Sequence, residues 1–130
     1  MQVYKIPGEP VPLSRPRANL SSRRFYNSQQ NVMLSASIYL QSQHNVHKFY
    51  EGPLHLEVVF YFPYPKSFPK YKREELTYKE TRCDLDNLIK FVCDISQGVL
   101  FHDDAIIASI SAKKVYDKDP RTEFTIQSAK

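Results

Sequence analysis

The sequence predicts an α+β domain, a small mixed β-sheet flanked by two main helices, and three observations point there. Apolar residues alternate with a period of two from Leu54 to Phe62. They recur at helical spacing over 28–46 and again over 84–97. Two further strand-like runs, Ile106 to Tyr116 and Glu123 to Ser128, follow the second helix. The 130 residues are 42% hydrophobic and 25% charged, which suits one domain over 1–130 with a core that needs neither a disulfide nor a structural metal. That apolar content excludes a disordered chain.

Gln2 to Ile6 alternates as a short strand, and Pro7, Gly8, Pro10, Pro12 and Pro16 then impose an extended passage. A basic loop follows, with Arg15, Arg17, Arg23 and Arg24 among Phe25 and Tyr26. From Ser28, which can cap a helix, Val32, Met33, Ala36, Tyr39 and Leu40 recur at helical spacing. Gly52-Pro53 punctuates, and the strand Leu54 to Phe62 begins. Pro63, Pro65 and Pro69 end it and open a loop to residue 82, in which Lys70 to Tyr78 has the makings of a short helix. The second helix has Asp84 as its cap, Leu85, Leu88, Ile89, Val92 and Ile95 as its buried stripe, and Gly98 as its stop. A turn at Asp117 to Arg121 joins the last two strands into a terminal pair.

Eighteen Lys and Arg against fourteen Asp and Glu give a net charge of +4 and a pI near 9.0, so polyanions are the natural partners to test. The longest apolar run, Val58 to Phe62, falls far short of the roughly 20 residues of a membrane span. No apolar signal segment follows Met1, and a cytoplasmic location is expected. Cys83 and Cys93 stand about 15 Å apart if a helix links them, so both are expected as free thiols.

The chemistry concentrates in Asp84-Leu85-Asp86-Asn87-Leu88-Ile89-Lys90, followed by Asp94 and by Asp103-Asp104. On a helix, Asp86, Lys90 and Asp94 share one face, opposite Leu85, Leu88 and Val92. A plain structural explanation exists: Asp84 caps, and Asp86, Lys90 and Asp94 form an exposed i, i+4 ion-pair ladder worth a few tenths of a kcal/mol. A calcium loop is excluded, because Ile89 and Ile95 occupy the positions that need Gly and Glu. The functional explanation is that Asp84, Asp86 and one or both of Asp103 and Asp104 hold Mg²⁺, a hard ion suited to carboxylate oxygens. Lys90 would then offset the acidic charge and stabilise the phosphorane-like charge or the leaving oxygen of phosphodiester hydrolysis.

The same run, with Gly98 and Asp103-Asp104-Ala105-x-Ile107, resembles the RusA family of Holliday junction resolvases of bacteria, phages and prophages. Pro10-Val11-Pro12-x-x-Arg15-Pro16-Arg17 is similar to the N-terminal element of many members. The resemblance implies a homodimeric, Mg²⁺-dependent endonuclease that binds four-way DNA junctions and makes paired nicks in recombination and repair. It implies catalytic roles for Asp84, Asp86, Asp104 and Lys90, with Asp103 as an adjacent acid able to share the metal and Asp94 in a supporting place. Asn87 could hold a ligand carboxylate or finish the helix start. A structure-specific nuclease for other branched DNA, or a branched-DNA binding protein without activity, are the alternatives.

The basic loops fit such a substrate independently. Arg15, Arg17, Arg23, Arg24, Lys72, Arg73, Lys79 and Arg82 are candidate phosphate contacts, and Lys113 and Lys114 weaker ones. Phe25, Tyr26, Tyr64, Phe68, Tyr71 and Tyr78 could stack on unpaired bases or simply pack their own loops. Of the four histidines only His102, beside Asp103, merits mutation. For a dimer interface, the apolar faces around Val32 to Leu40 and Ile106 to Ile110 are the candidates.

Overall fold

A computed structural model of the protein describes residues 2–13, 27–44 and 48–130. Its strands are β1 (Tyr4–Pro7), β2 (Leu54–Phe62), β3 (Ile107–Tyr116) and β4 (Arg121–Ser128), and its helices are α1 (Asn27–Gln43) and α2 (Leu85–Ser96). They form the α+β arrangement that the sequence predicts, one mixed sheet and two main helices. Ser28 is the second residue of α1, so it is not the cap. The possible helix over Lys70 to Tyr78 shrinks to a single 3₁₀ turn, Lys70–Lys72.

The sheet order is β1-β4-β2-β3. β2 pairs antiparallel with β4 and parallel with β3, and β1 pairs antiparallel with β4. The last two strands are therefore not a hairpin pair, which corrects the sequence expectation. After β3 the chain passes over the end of β2, where the Asp117 N–H donates to the Phe62 carbonyl at 2.8 Å, and β4 descends on the far side. The physical reason lies in β2, whose two edges both need a partner. Period-two alternation locates a strand but says nothing about its neighbours.

Leu54, Leu56, Val58, Phe60 and Phe62 of β2 are buried and form one core with Phe124 and Ile126 of β4, Ala36 and Leu40 of α1, and Leu88, Phe91, Val92 and Ile95 of α2. Each of these side chains larger than Ala36 contributes roughly 1.5–3 kcal/mol by leaving water. The α1 end is tied to the edge strand β1 by Gln43, whose amide accepts from the Lys5 N–H and donates to the Lys5 carbonyl, each at 2.7 Å. His44 leaves the helix to join a buried network. Its Nε2 lies 2.9 Å from the Lys48 carbonyl, which can only accept, so Nε2 carries a proton. Its Nδ1 lies 3.0 Å from the Tyr4 hydroxyl, itself 2.8 Å from the Tyr50 hydroxyl. Burial first, then Tyr50, pushes the Tyr4 phenol well above its ordinary range. Among the described residues, no helix is long and apolar enough to cross a membrane.

Candidate functional site

α2 carries its core stripe on one side and its chemistry on the other. Leu88, Phe91, Val92 and Ile95 are buried, whereas Asp84, Asp86 and Lys90 are exposed and Asp94 is half-buried. Asp84 occupies the N-cap position with extended backbone, but its side chain makes no capping hydrogen bond. The capping role predicted for it is thus not the one it plays, and its carboxylate is not spent on the helix. The N-terminal proline motif arrives at the same place: the Leu13 N–H donates to the Asn87 carbonyl at 3.0 Å.

Asp103 and Asp104 are neighbours in sequence and diverge in space. Asp103 caps a 3₁₀ turn (Asp104–Ile106), its Oδ1 accepting from the Ala105 N–H at 3.0 Å. The Asp104 N–H donates to Gln97 Oε1 at 3.4 Å, at the C-cap of α2. Gly98, left-handed at φ 84°, ends α2 as predicted and turns the chain back, its N–H donating to the Phe101 carbonyl at 2.7 Å. Burial raises the Cys93 thiol, Asp104 and Asp94 raise it further, and Lys90 opposes them, leaving it at about 11. Cys83 and Cys93 are both free, as expected.

The acids named from sequence do not all meet within one chain. Because β2 and β3 are parallel, α2 runs back between them, which puts Asp84 and Asp86 at one end of the sheet and Asp103 and Asp104 at the other. Asp84 at the N-cap and Gln97 at the C-cap stand about 20 Å apart at about 1.5 Å of rise per residue. Oxygens sharing one Mg²⁺ lie within about 4 Å of each other, since each sits about 2.1 Å from the ion. Among the described residues, no group of three or more His, Cys, Asp or Glu is gathered to hold a metal ion. The donor chemistry nevertheless fits: Mg²⁺ takes hard carboxylate oxygens and commonly uses only one or two, with water and phosphate completing its shell.

The basic candidates separate into two sets. Arg15, Arg17, Arg23 and Arg24, with Phe25, Tyr26 and His47, lie outside the described residues. In the 63–82 loop, Arg73 stacks its guanidinium 4.9 Å from the Tyr64 ring, and the Tyr64 hydroxyl donates to the Arg73 carbonyl at 2.7 Å. Lys79 sits 5.1 Å from the Phe62 ring and donates to Thr81 Oγ1 at 2.8 Å. Lys72 lies 5.9 Å from the ring of Tyr71, and Arg82 is exposed. Tyr64, Phe68 and Tyr116 pack together with ring centroids 4.9–6.0 Å apart, so Tyr64 and Phe68 hold the loop in shape. Tyr71 and Tyr78 remain exposed.

Sequence reasoning underrated Lys114. Its register partner is Phe60, so it lies on the core side of β3, and its ammonium reaches out to donate to the Thr81 carbonyl at 2.8 Å and the Cys83 carbonyl at 2.6 Å. It clamps the backbone immediately before Asp84. The available signal was one of phase: Ile110, Ala112 and Lys114 alternate together, and a lysine at an inward position asks for a partner.

A family model described as endodeoxyribonuclease RusA matches residues 7–127. The chain is also similar to the uncharacterized protein YqaN of Bacillus subtilis (strain 168), at 26% identity over 133 aligned residues that cover 95% of this chain and 94% of that protein.

Proposed function

Since the chain belongs to the RusA endodeoxyribonuclease family, we propose that it is a Mg²⁺-dependent endonuclease that binds four-way DNA junctions as a homodimer and resolves them by paired nicks. The observation that carries this reading is the set of exposed polar side chains on α2, Asp84, Asp86 and Lys90, with the Asp84 carboxylate left unused by the helix it begins. Asp84, Asp86 and Asp104 are the proposed catalytic acids and metal ligands, with Asp103 adjacent. When bound, the divalent ion would supply Lewis-acid polarisation of the scissile phosphate and lower the pKa of a water. The α2 N-terminus adds its own partial positive charge where a phosphate would approach. Lys90 lies one turn further along the exposed face, placed to stabilise charge on the phosphate or the leaving oxygen.

The distance along α2 bears on how such a site is assembled. A C2 pair of chains can set the α2 start of one protomer against the 3₁₀ turn of the other, so that Asp84 and Asp86 are completed by the partner's Asp104. Two such sites would face two equivalent phosphates of a four-way junction.

The test is cleavage of a synthetic four-way junction and its linear duplex counterpart, with Mg²⁺ or EDTA, by wild type, Asp84→Asn and Asp104→Asn. Wild type should make paired, Mg²⁺-dependent nicks in the junction only. Each variant alone should fall by more than about 100-fold, since losing a mere supporting hydrogen bond at a metal site already costs about 10–100-fold. Co-expressed with different tags and purified as a mixed dimer, the two variants should recover one nick, because one shared site is then intact. A dead mixed dimer would put the acids of each site within one chain. Binding without cutting under any divalent ion would leave a branched-DNA binding protein.

A further inference from the structure

The segment 48–53 and the stretch 100–106 are pinned together at two points. The Tyr50 N–H donates to the Leu100 carbonyl at 2.7 Å, and Gly52 sits so close that a Cβ there would come within 2.8 Å of the Ile106 Cβ. Between these segments opens a cavity of about 740 Å³ whose wall includes Lys48, Phe49, Glu51, His102 and Asp103. Phe49 and His102 form its aromatic side, with ring centroids 4.1 Å apart. Phe49 keeps 38% of its surface exposed, an apolar ring left open at the mouth of a concave site. One oxygen of Asp103 is occupied by the Ala105 N–H, and Oδ2 takes no part in that bond.

The chemistry of this wall selects its ligand. Glu51 and Asp103 outnumber Lys48, so a phosphate or other anion is disfavoured there, whereas a planar group with N–H donors finds both a stacking face and carboxylate acceptors. Asp104, the next residue, points its backbone toward the α2 end. A base held in the cavity would therefore have its own phosphodiester close to a proposed catalytic acid. We propose that this cavity binds one unpaired nucleobase of the branched substrate, stacked on the open face of Phe49 beside the tilted His102 ring and hydrogen-bonded through an amino group to Glu51. The inference rests on the nuclease reading, which brings DNA to Asp104.

Four-way junctions carrying 2-aminopurine at each nucleotide flanking the branch point in turn test it, in EDTA so that no strand is cut. A dye on a distal arm reports binding by anisotropy, and emission is compared at saturating protein. Wild type should raise 2-aminopurine emission at one position at least about threefold, as the base leaves its stack. At equal saturation Phe49→Ala and Glu51→Leu should lose that rise, since leucine offers the amino group no acceptor. An unchanged rise in both variants, or no rise at any position with wild type bound, overturns the base site. Absence of any anisotropy change with wild type would instead overturn the branched-DNA reading beneath it.

Discussion

Lys114 holds two backbone carbonyls with one ammonium, at 2.8 and 2.6 Å, and those carbonyls flank the approach to Asp84. Replacing it with Met keeps the stem and strands two acceptors, while Arg keeps the charge and can reach both. Lys114→Met should lower kcat on junctions by about 10–100-fold, the usual cost of losing a group that orients a metal ligand, with KM nearly unmoved, and Lys114→Arg should recover much of the loss. A rise in KM at constant kcat would make Lys114 a phosphate contact instead. The two thiols allow a second check. Cys93 is buried and its pKa is pushed up to about 11 by burial and by Asp104 and Asp94 against Lys90, so at pH 8 it stays protonated and shielded. Iodoacetamide should label only the half-buried Cys83 in the native protein and both thiols in urea. At this scale the sequence placed Asp86 and Lys90 on the face of α2 opposite its apolar stripe, and both are exposed there. It could not show that Asp103 turns to its own backbone, or that Asp84 leaves the cap unmade, because both are decided by local geometry.

The strands and helices were legible where one periodicity ran unbroken: β2 spans Leu54–Phe62 as the alternation implies, and α2 ends at Ser96, two residues before the left-handed Gly98 that turns the chain. The pairing of β4 with β2 was not legible, because turn chemistry at Asp117 to Arg121 reads alike for a hairpin and for a chain crossing a strand end. That crossing is held by Arg121. Its guanidinium lies 3.7 Å from the Tyr61 ring and donates to Asp117 at 2.7 Å and to Glu123 at 2.6 Å. Arg121→Ala should destabilise the protein by about 1–2 kcal/mol, combining a ring contact with partly screened ion pairs, measurable in urea. Burial works to raise the Asp117 carboxyl, but the Arg121 hydrogen bond and the Asp119 N–H outweigh it and hold it below its ordinary 3.8. A depressed carboxyl stabilises the fold above its unfolded value, and that contribution is lost as pH falls through the folded value. Wild type should therefore lose stability below about pH 4, and Asp117→Asn should flatten the part of that loss that comes from this group.

Across the whole molecule, charge is distributed unevenly in a way that bears on assembly. The chain is 25% charged, yet the seventeen residues of α1 include no Asp, Glu, Lys or Arg. Its outer face leaves Leu34 and Ile38, one turn apart, 61% and 55% exposed, with Val32 and Tyr39 beside them. Two basic molecules repel over most of their surfaces, and an apolar, uncharged helix face is where they can approach, because interface cores are depleted of charge. Self-contact of that face about a two-fold axis needs no second kind of patch. Ile110, 44% exposed on the β3 edge, is the other apolar candidate. The double variant Leu34→Glu/Ile38→Glu puts four like charges into a two-fold contact while touching none of the core residues. Light scattering should show wild type as a dimer and this variant as a monomer with unchanged circular dichroism. If each site is completed by the partner's Asp104, the monomer should also lose nicking altogether, since neither half-site holds all its acids. A folded monomer that still nicks junctions would separate catalysis from assembly, and a variant that stays dimeric would move the contact to the β3 edge, where Ile110→Glu is the corresponding substitution.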